Sequence, residues 1–247
     1  MLIILAVLVV LGGLVAVIGV TAHNNQVASD NHATATASAH NTTATAQAQA
    51  TTTALAQATA TAIASNYPFS TNLKLNDPLT DNSKGAGWRT DGNCKFASDG
   101  YHASESTTNT YYPCSALQTN YNNFTYQVTM NMVQGDVGGI VFRGDDVNTK
   151  FYSFVFSQTG EYVLFLYTQE GTKPQTLQDS TAQSFKPHQA NDLGVVARGN
   201  QISLYVNGQK LISINNGTFT SGQIGTIVYD LNGPAEAVFT NAKVWQL

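Results

Sequence analysis

The chain has 247 residues and a formal net charge of −4, and only 11% of its residues are Asp, Glu, Lys or Arg. Its eleven Lys and Arg residues are scattered singly, whereas a phosphate backbone is bound by clustered basic side chains, so the composition argues against nucleic acid as a partner. The many Asn, Thr and Gly residues, with 11 Tyr and 11 Phe, are typical of an exported β protein.

Residues 1–20 are almost entirely aliphatic and predict a hydrophobic helix. Leu2–Val20 contains no polar side chain, and as a helix it would span roughly 30 Å, the thickness of a bilayer core. Three roles remain open for it: a cleavable signal peptide, a membrane anchor, or a helix that packs with its own copies in the core of a filament. The predicted partner of this segment is therefore either the lipid bilayer or a second copy of the chain.

The same segment resembles the mature N-terminus of bacterial type IV pilins. That N-terminus begins with an aromatic residue or Met and continues as one long hydrophobic helix, as Met1 and the aliphatic run after it do here. The chain departs from the pilin pattern at the fifth position, where Leu5 stands in place of an acidic residue. The resemblance implies a subunit of an extracellular filament.

Residues 21–66 predict a stalk. The segment contains no Gly and no Pro and is dominated by Ala and Thr. Ala and Gln favour a helix, which would be about 70 Å long, whereas Thr and the alternation of Ala with Thr disfavour one. A helical stalk is the preferred interpretation, and a disordered stalk carrying O-linked glycans is the alternative.

Residues 67–247 predict an all-β domain. Short stretches of alternating apolar residues are separated by turn dipeptides such as Asn207-Gly208 and Asn216-Gly217, and this spacing, with no helical period between, indicates an antiparallel sandwich. The predicted strands are Phe124–Met132, Gly139–Arg143, Phe151–Ser157, Tyr162–Tyr167, Leu193–Ala197, Ile202–Val206, Lys210–Ile214, Gln223–Tyr229 and Ala237–Trp245.

Cys94 and Cys114 are the two cysteines of the chain. A pair of cysteines in an exported domain usually forms a disulfide, because the compartment outside the cytosol is oxidising. The alternative is two buried free thiols; a tetrahedral metal site is excluded because no His pair lies nearby. The segment between the cysteines reads as two or three short strands, so we expect its ends to meet across neighbouring strands.

Several motifs in the middle and at the end of the β domain follow a known pattern: Gly138–Arg143, Lys150–Phe154, Ile202, Leu204, Tyr205, Val206, Asn207, Gly208, Ser221, Gly222, Ile224, Gly225, Phe239, Asn241, Lys243 and Val244. In these motifs the domain resembles a concanavalin A-like jelly roll. That family includes laminin G-like modules, laminarinase-type glucanases and the domain known as 3-keto-disaccharide hydrolase. Similar domains follow a membrane helix and an Ala/Thr linker in the ectodomains of some bacterial Ser/Thr kinases. The resemblance covers roughly residues 75–247 and implies the fold more than the function.

No catalytic residue is predicted. The glucanase branch of the family cleaves its substrate with paired carboxylates in an E-x-D-x-x-E spacing on one strand, and the chain has no such run. His102 and His188 stand in no recognisable catalytic motif and are interpreted as surface residues. An enzyme is therefore the minority interpretation.

Two sets of residues are candidate binding sites. The first set, interpreted by analogy with the family, would stack on or bind a sugar: Trp88, Tyr111, Tyr112, Arg143, Tyr152 and Tyr205. The second set would offer hard oxygen ligands to calcium: Asp145, Asp146 and Asn148. The tripeptide Arg143-Gly144-Asp145 is interpreted as a turn, and a solvated polar turn is the alternative to the calcium site.

The sequence supports three hypotheses about function. The leading one is a structural cell-surface protein, a subunit of a pilus-like filament that displays the sandwich outward. The second is a membrane-anchored ectodomain that binds carbohydrate or acts as a sensor, and the third is a glycan-active enzyme. All three place the protein at the bacterial cell surface, anchored by residues 1–20, with extracellular glycans as candidate partners.

Overall fold

The structure, a computed structural model, describes residues 45, 47–51 and 67–247. Residues 67–247 form fourteen strands with no helix among them. The strands are β1 (Leu73–Asp77), β2 (Cys94–Ala97), β3 (Gly100–Glu105), β4 (Thr110–Ser115), β5 (Phe124–Gln134), β6 (Val137–Asp145), β7 (Lys150–Ser157), β8 (Glu161–Tyr167), β9 (Gln175–Thr181), β10 (Asn191–Arg198), β11 (Gln201–Val206), β12 (Gln209–Asn215), β13 (Gln223–Asp230) and β14 (Ala235–Gln246).

The strands form two antiparallel sheets that pack face to face as a jelly-roll sandwich. The eight-stranded sheet has the order β12-β11-β10-β5-β14-β3-β2, with β1 paired to the second half of β14. The six-stranded sheet has the order β4-β13-β6-β7-β8-β9. The predicted all-β sandwich is confirmed. Each of the nine predicted strands corresponds to an observed one, and the segment between the two cysteines contains β2, β3 and most of β4.

Period-two alternation explains how the sheets bury their inner faces. On β5, Tyr126, Val128 and Met130 point between the sheets and are buried, while Gln127 and Thr129, between them, point outward because successive side chains of a strand alternate. The core is rich in aromatic rings, which bury more apolar area per residue than aliphatic side chains do. The sandwich thus has an outer face on each sheet, and any site on those faces is built from the alternate residues.

The disulfide between Cys94 and Cys114 is present, but it does not join neighbouring strands of one sheet. Cys94 lies on β2, an edge strand of the eight-stranded sheet, and Cys114 lies on β4, an edge strand of the six-stranded sheet. Their Cα atoms are 5.7 Å apart and both side chains are fully buried. The bond therefore ties the two sheets together along one side of the sandwich.

The segment from Tyr67 to Asn72 crosses the outer face of the eight-stranded sheet before β1 begins. The Thr125 hydroxyl donates to the Pro68 carbonyl, and the Ser70 hydroxyl donates to the Gln246 carbonyl, both at 2.6 Å. The Tyr67 ring lies over Gly194, where a Cβ would collide with the tyrosine hydroxyl. This packing makes Tyr67 part of the sandwich.

Only a short part of the predicted stalk lies within the described residues. Residues 45 and 47–51 are helical, and the Thr51 hydroxyl donates to the Gln47 carbonyl at 2.8 Å, the i−4 bond that a helical Thr makes. The rest of the stalk and the predicted hydrophobic helix of residues 1–20 lie outside the described residues. Within the described part of the chain, no helix is both long enough and apolar enough to cross a membrane.

Candidate functional site

Two of the six predicted ligand residues are core side chains. Trp88 is 2% exposed, and its indole N–H donates to the Asp77 carboxylate at 3.0 Å. Tyr152 is fully buried, and its hydroxyl donates to the Asn216 side-chain oxygen at 2.6 Å. Both rings lie between the sheets, so the structure places them out of reach of a ligand.

Arg143 is also buried, at 1% exposure, and contacts backbone rather than solvent. Its guanidinium donates to the carbonyls of Asn122, Gly199 and Phe219 at 2.9, 2.8 and 3.1 Å. Burial lowers the pKa of Arg143, and no carboxylate among the described residues forms an ion pair with it. Because the three carbonyls belong to three different loops, Arg143 fixes one end of the sandwich.

Tyr205 and Tyr112 lie apart from each other, on different sheets. Tyr205 is on β11 of the eight-stranded sheet, covered by Tyr67 and Phe69, whose ring centroids are 4.7 and 6.1 Å away. Tyr112 is on β4 of the six-stranded sheet, and its hydroxyl donates to the Asp91 carboxylate at 2.9 Å. The candidate sugar-binding aromatics therefore do not come together as one surface.

The three residues predicted to ligate calcium are held by protein partners. The Asp145 carboxylate accepts hydrogen bonds from the backbone N–H and side-chain amide of Asn148, while the Asp146 carboxylate pairs with Arg89 and accepts from the Ser115 hydroxyl. Among the described residues, no three His, Cys, Asp or Glu side chains lie close enough together to hold a metal ion. Calcium binding in this loop stays a prediction.

Tyr111, alone of the six ligand candidates, belongs to an aromatic cluster on the outer face of the six-stranded sheet, formed by Tyr111, Phe151, Phe165, Tyr167 and Tyr229. The Tyr111 ring centroid is 4.8 Å from that of Tyr167 and 5.5 Å from that of Tyr229. Tyr111 is on β4 and Tyr167 is on β8, with three strands between them. Rings from strands so far apart can meet only if the sheet curves, so this outer face is concave.

The polar atoms inside the aromatic cluster are bound to one another. The Tyr229 hydroxyl lies 3.0 Å from the Ser153 hydroxyl and 2.8 Å from the Tyr167 hydroxyl. Burial raises the pKa of both tyrosines far above the ordinary value, so they stay neutral and hydrogen-bonded at any physiological pH. A buried hydroxyl without a partner would be costly, and this chain of three hydroxyls avoids that cost.

An open groove of about 570 Å³ runs beside the aromatic cluster on the concave face. Val137, Val155 and Val163 form its floor, with Phe165 and Tyr111 beside them, and Gly171–Pro174 of the β8–β9 loop form part of its wall. Most of this surface is apolar, and ligand sites in proteins are typically apolar with a few polar groups. The complete lining is Asn109, Thr110, Tyr111, Val137, Val155, Ser157, Glu161, Val163, Phe165, Tyr167, Gly171, Thr172, Lys173, Pro174, Tyr229 and Leu231.

Glu161 is the one carboxylate that lines the groove in the part of the chain that the structure describes. It begins β8, next to Ser157 at the end of β7, and it is exposed. Hydrolysis of a glycosidic bond by the common route needs two carboxyl groups on opposite sides of the bond, about 5–10 Å apart. Across the floor, the outward positions in line with Glu161 are Val137 and Tyr229. On the other side of Glu161, Asp179 of β9 is opposite Val163 but does not line the groove.

The groove residues on β7 and β8 are not among the sites predicted from the sequence. Phe165, Tyr167, Val155 and Val163 are predicted only as parts of strands. One signal in the sequence points to them: Phe151–Ser157 and Tyr162–Tyr167 are apolar at almost every position. A strand that is apolar at both its odd and its even positions is covered on both faces. The pattern therefore indicates an apolar surface outside the sandwich core.

His102 lies outside the groove, on the outer face of the eight-stranded sheet, where it is more buried than the predicted surface position implies. We expect the contribution of the His102 side chain to the free energy of unfolding to be lost as pH rises. Burial by itself lowers the pKa of His102, but hydrogen bonds to Asp99 at 2.9 Å and Glu236 at 2.6 Å together outweigh it, and the pKa is raised above 6.5. The folded-state pKa then exceeds the unfolded one. The contribution is therefore fully present below about pH 6.5 and disappears as pH rises through the folded-state pKa.

The free energy of unfolding of the wild type and of His102→Gln, measured from about pH 5 to about pH 9, checks this expectation. The difference between the two proteins should shrink steadily as pH rises, because only the wild type carries the raised pKa. Lys95, the cross-strand neighbour of His102 on β2, is unchanged in both proteins. A difference that stays constant over this range would contradict the prediction.

A sequence profile of the 3-keto-alpha-glucoside-1,2-lyase-like domain matches residues 76–244, while the comparison with curated proteins gave no match. The sandwich is similar to the carbohydrate-binding module CBM66 from Bacillus subtilis, with 19% identity, a TM-score of 0.55 and coverage of 65% of this chain and 96% of that one. It is also similar to a Bacillus licheniformis β-glucanase, with 13% identity, a TM-score of 0.52 and coverage of 71% and 99%. A galectin-like protein of unknown function from Bacillus subtilis shares 12% identity, a TM-score of 0.52 and coverage of 72% and 97%. At these identities the structural likeness shows the fold, which is a concanavalin A-like jelly roll. Because the sequence profile matches residues 76–244, the chain belongs to the 3-keto-alpha-glucoside-1,2-lyase-like domain family.

Proposed function

We propose that this protein binds glycans without cleaving them, through the groove on the concave face of the six-stranded sheet. The observation that carries the proposal is the aromatic and aliphatic surface of that groove, since sugar rings present flat C–H faces that gain from burial against apolar side chains. The similarity to a carbohydrate-binding module and to a β-glucanase supports a glycan as the class of ligand.

Two features of the groove support binding rather than hydrolysis. Glu161 has no second carboxylate facing it among the groove residues, and the aromatic cluster occupies the other half of the concave face with side chains of the protein itself. Fold alone does not decide between these activities, because related jelly rolls host both enzymes and binding modules. The groove chemistry is therefore the better guide.

The groove faces away from the sheet at which the chain enters the sandwich. Tyr67 packs on the outer face of the eight-stranded sheet, and the groove lies on the outer face of the six-stranded sheet. The disulfide supports a site outside the cytosol. We propose a location at the bacterial cell surface, as an ectodomain held by residues 1–20; assembly of those residues into a filament stays a prediction.

Binding is tested with the full-length protein on an array of immobilised neutral and acidic glycans, followed by calorimetry with the soluble hits. We expect Phe165→Ala to weaken binding at least about tenfold, equivalent to roughly 1.4 kcal/mol, because a partly exposed ring that lines the groove is lost. Phe69→Ala is the matched control: it removes the same ring from the segment that crosses the outer face of the opposite sheet, where 43% of Phe69 is exposed.

Equal weakening by both substitutions, or no binding to any glycan on the array, would contradict the proposal. Release of reducing ends from a bound glycan, abolished in Glu161→Gln, would overturn its non-catalytic part. Such a result would make the protein a glycan-active enzyme that uses the same groove.

A further inference from the structure

The interior of the groove has almost no hydrogen-bonding groups to offer a ligand. Its floor is made of Val137, Val155 and Val163. Val155 is directly opposite Val163, and Val137 is opposite Ser157, two residues along β7 from Val155. The Tyr167 and Tyr229 hydroxyls, 2.8 Å apart, are already bound to each other. A sugar hydroxyl that entered this interior would lose its water and gain no partner.

Most polar groups of the groove are gathered at one end, and two more, Thr172 and Lys173, are exposed in the β8–β9 loop that forms part of its wall. Ser157 ends β7, Glu161 begins β8, and Asn109 and Thr110 lie at the start of β4. The antiparallel pairings place these positions at the same edge of the sheet, since Val137 is opposite Ser157 on one side and opposite Tyr229 on the other. The groove is thus amphipathic, with a polar mouth and an apolar interior.

A plain hexose fits such a groove poorly. It carries hydroxyl groups around the whole ring, so some of them would be buried against the valines. Each buried hydroxyl without a partner lowers affinity by about tenfold or more. A methyl group in the same position instead gains from burial.

We propose that the groove selects sugars that carry a methyl or acetyl substituent, namely 6-deoxyhexoses and N- or O-acetylated hexoses, over the unsubstituted hexoses. This selectivity rests on the proposed glycan binding. The substituent lies on the valine floor, and the ring hydroxyls lie at the mouth, within reach of Ser157 and Glu161. The Tyr111 ring borders the same interior and covers the ring face of the sugar.

The test compares matched pairs of soluble sugars with the full-length protein by saturation-transfer NMR and by competition. L-fucose is compared with L-galactose, and N-acetylglucosamine with glucose, so that each pair differs in one substituent. We expect the substituted sugar of at least one pair to bind about tenfold more tightly than its partner. Its methyl or acetyl protons should receive the strongest saturation.

Val163→Thr adds one hydroxyl to the floor with little change of shape, and it should reduce the preference within a pair to less than about threefold. Val133→Thr is the matched control, since Val133 is 57% exposed and lies outside the groove. If Val163→Thr unfolds, the saturation pattern of the wild type still decides the question, because it needs no variant.

The outcomes separate the two levels of the proposal. If unsubstituted hexoses or their oligomers bind as tightly as the substituted ones, or if the ring protons rather than the substituent receive the saturation, the selectivity is wrong and glycan binding stands. If no sugar binds in this assay or on the array, the proposed function itself is wrong.

Discussion

We expect Arg143→Met to lower the free energy of unfolding by about 3–5 kcal/mol. The side chain is 1% exposed and holds the carbonyls of Asn122, Gly199 and Phe219. Methionine fills a similar volume but removes the donor that these three part-buried hydrogen bonds share. Burying the guanidinium costs free energy in the wild type, and the variant no longer has this cost. The expected loss of stability is therefore smaller than the sum of three charge-assisted hydrogen bonds.

Urea unfolding followed by circular dichroism measures the effect. Arg198→Met is the control, because Arg198 is an exposed arginine beside Gly199 in the chain, and its replacement should change stability by less than about 0.5 kcal/mol. Arg143→Lys should recover only part of the loss, since an ammonium group lacks the planar fork that reaches three loops. A loss below about 1 kcal/mol in Arg143→Met would mean that water satisfies the carbonyls.

We expect removal of the disulfide to lower the free energy of unfolding by about 3 kcal/mol, from the entropy of a loop of about twenty residues in the unfolded chain. The double variant Cys94→Ala, Cys114→Ala leaves no free thiol in the core. Its loss of stability therefore comes from the missing crosslink and from a small cavity. Because the bond joins edge strands of the two sheets, β2 and β4 should show the earliest hydrogen exchange in the variant.

Chemical denaturation of the double variant and of the reduced wild type measures this loss, and the two proteins should agree within about 1 kcal/mol. Thiol labelling of the denatured, unreduced wild type is the control. Labelling of both cysteines would show that the bond is absent from the purified protein. A variant as stable as the oxidised wild type would show instead that the sheets are held by core packing alone.

The strands with an alternating or continuous apolar pattern were predictable from the sequence, and the edge strand β9 was not. β5 and β10 to β14 show alternating or continuous apolar residues between turn dipeptides, and that pattern is local. β9 (Gln175–Thr181) is mostly exposed and lies at the edge of its sheet. Its sequence has no apolar alternation because a solvated edge strand needs none, so its hydrogen bonds to β8 were not foreseeable.

The candidate site was predicted less well than the fold because aromatic residues serve the core and the surface alike. Tyr152 and Tyr111 are each adjacent to another aromatic residue in the sequence, yet the first is fully buried and the second lines the groove. Which alternate set of side chains on a strand faces the core depends on the register of its pairing. A shift of one residue exchanges the two faces, and register is fixed only by pairing with the neighbouring strands.

The sequence by itself determined the class of this protein: an all-β domain with a disulfide, since alternation, turn dipeptides and paired cysteines act over short distances. Only the tertiary structure decided where the disulfide lies between the sheets and which residues share the concave face. Tyr111 and Tyr167 come together because the six-stranded sheet curves and brings β4 towards β8. Curvature and strand order arise from the packing of both sheets at once, and no local run of residues encodes them.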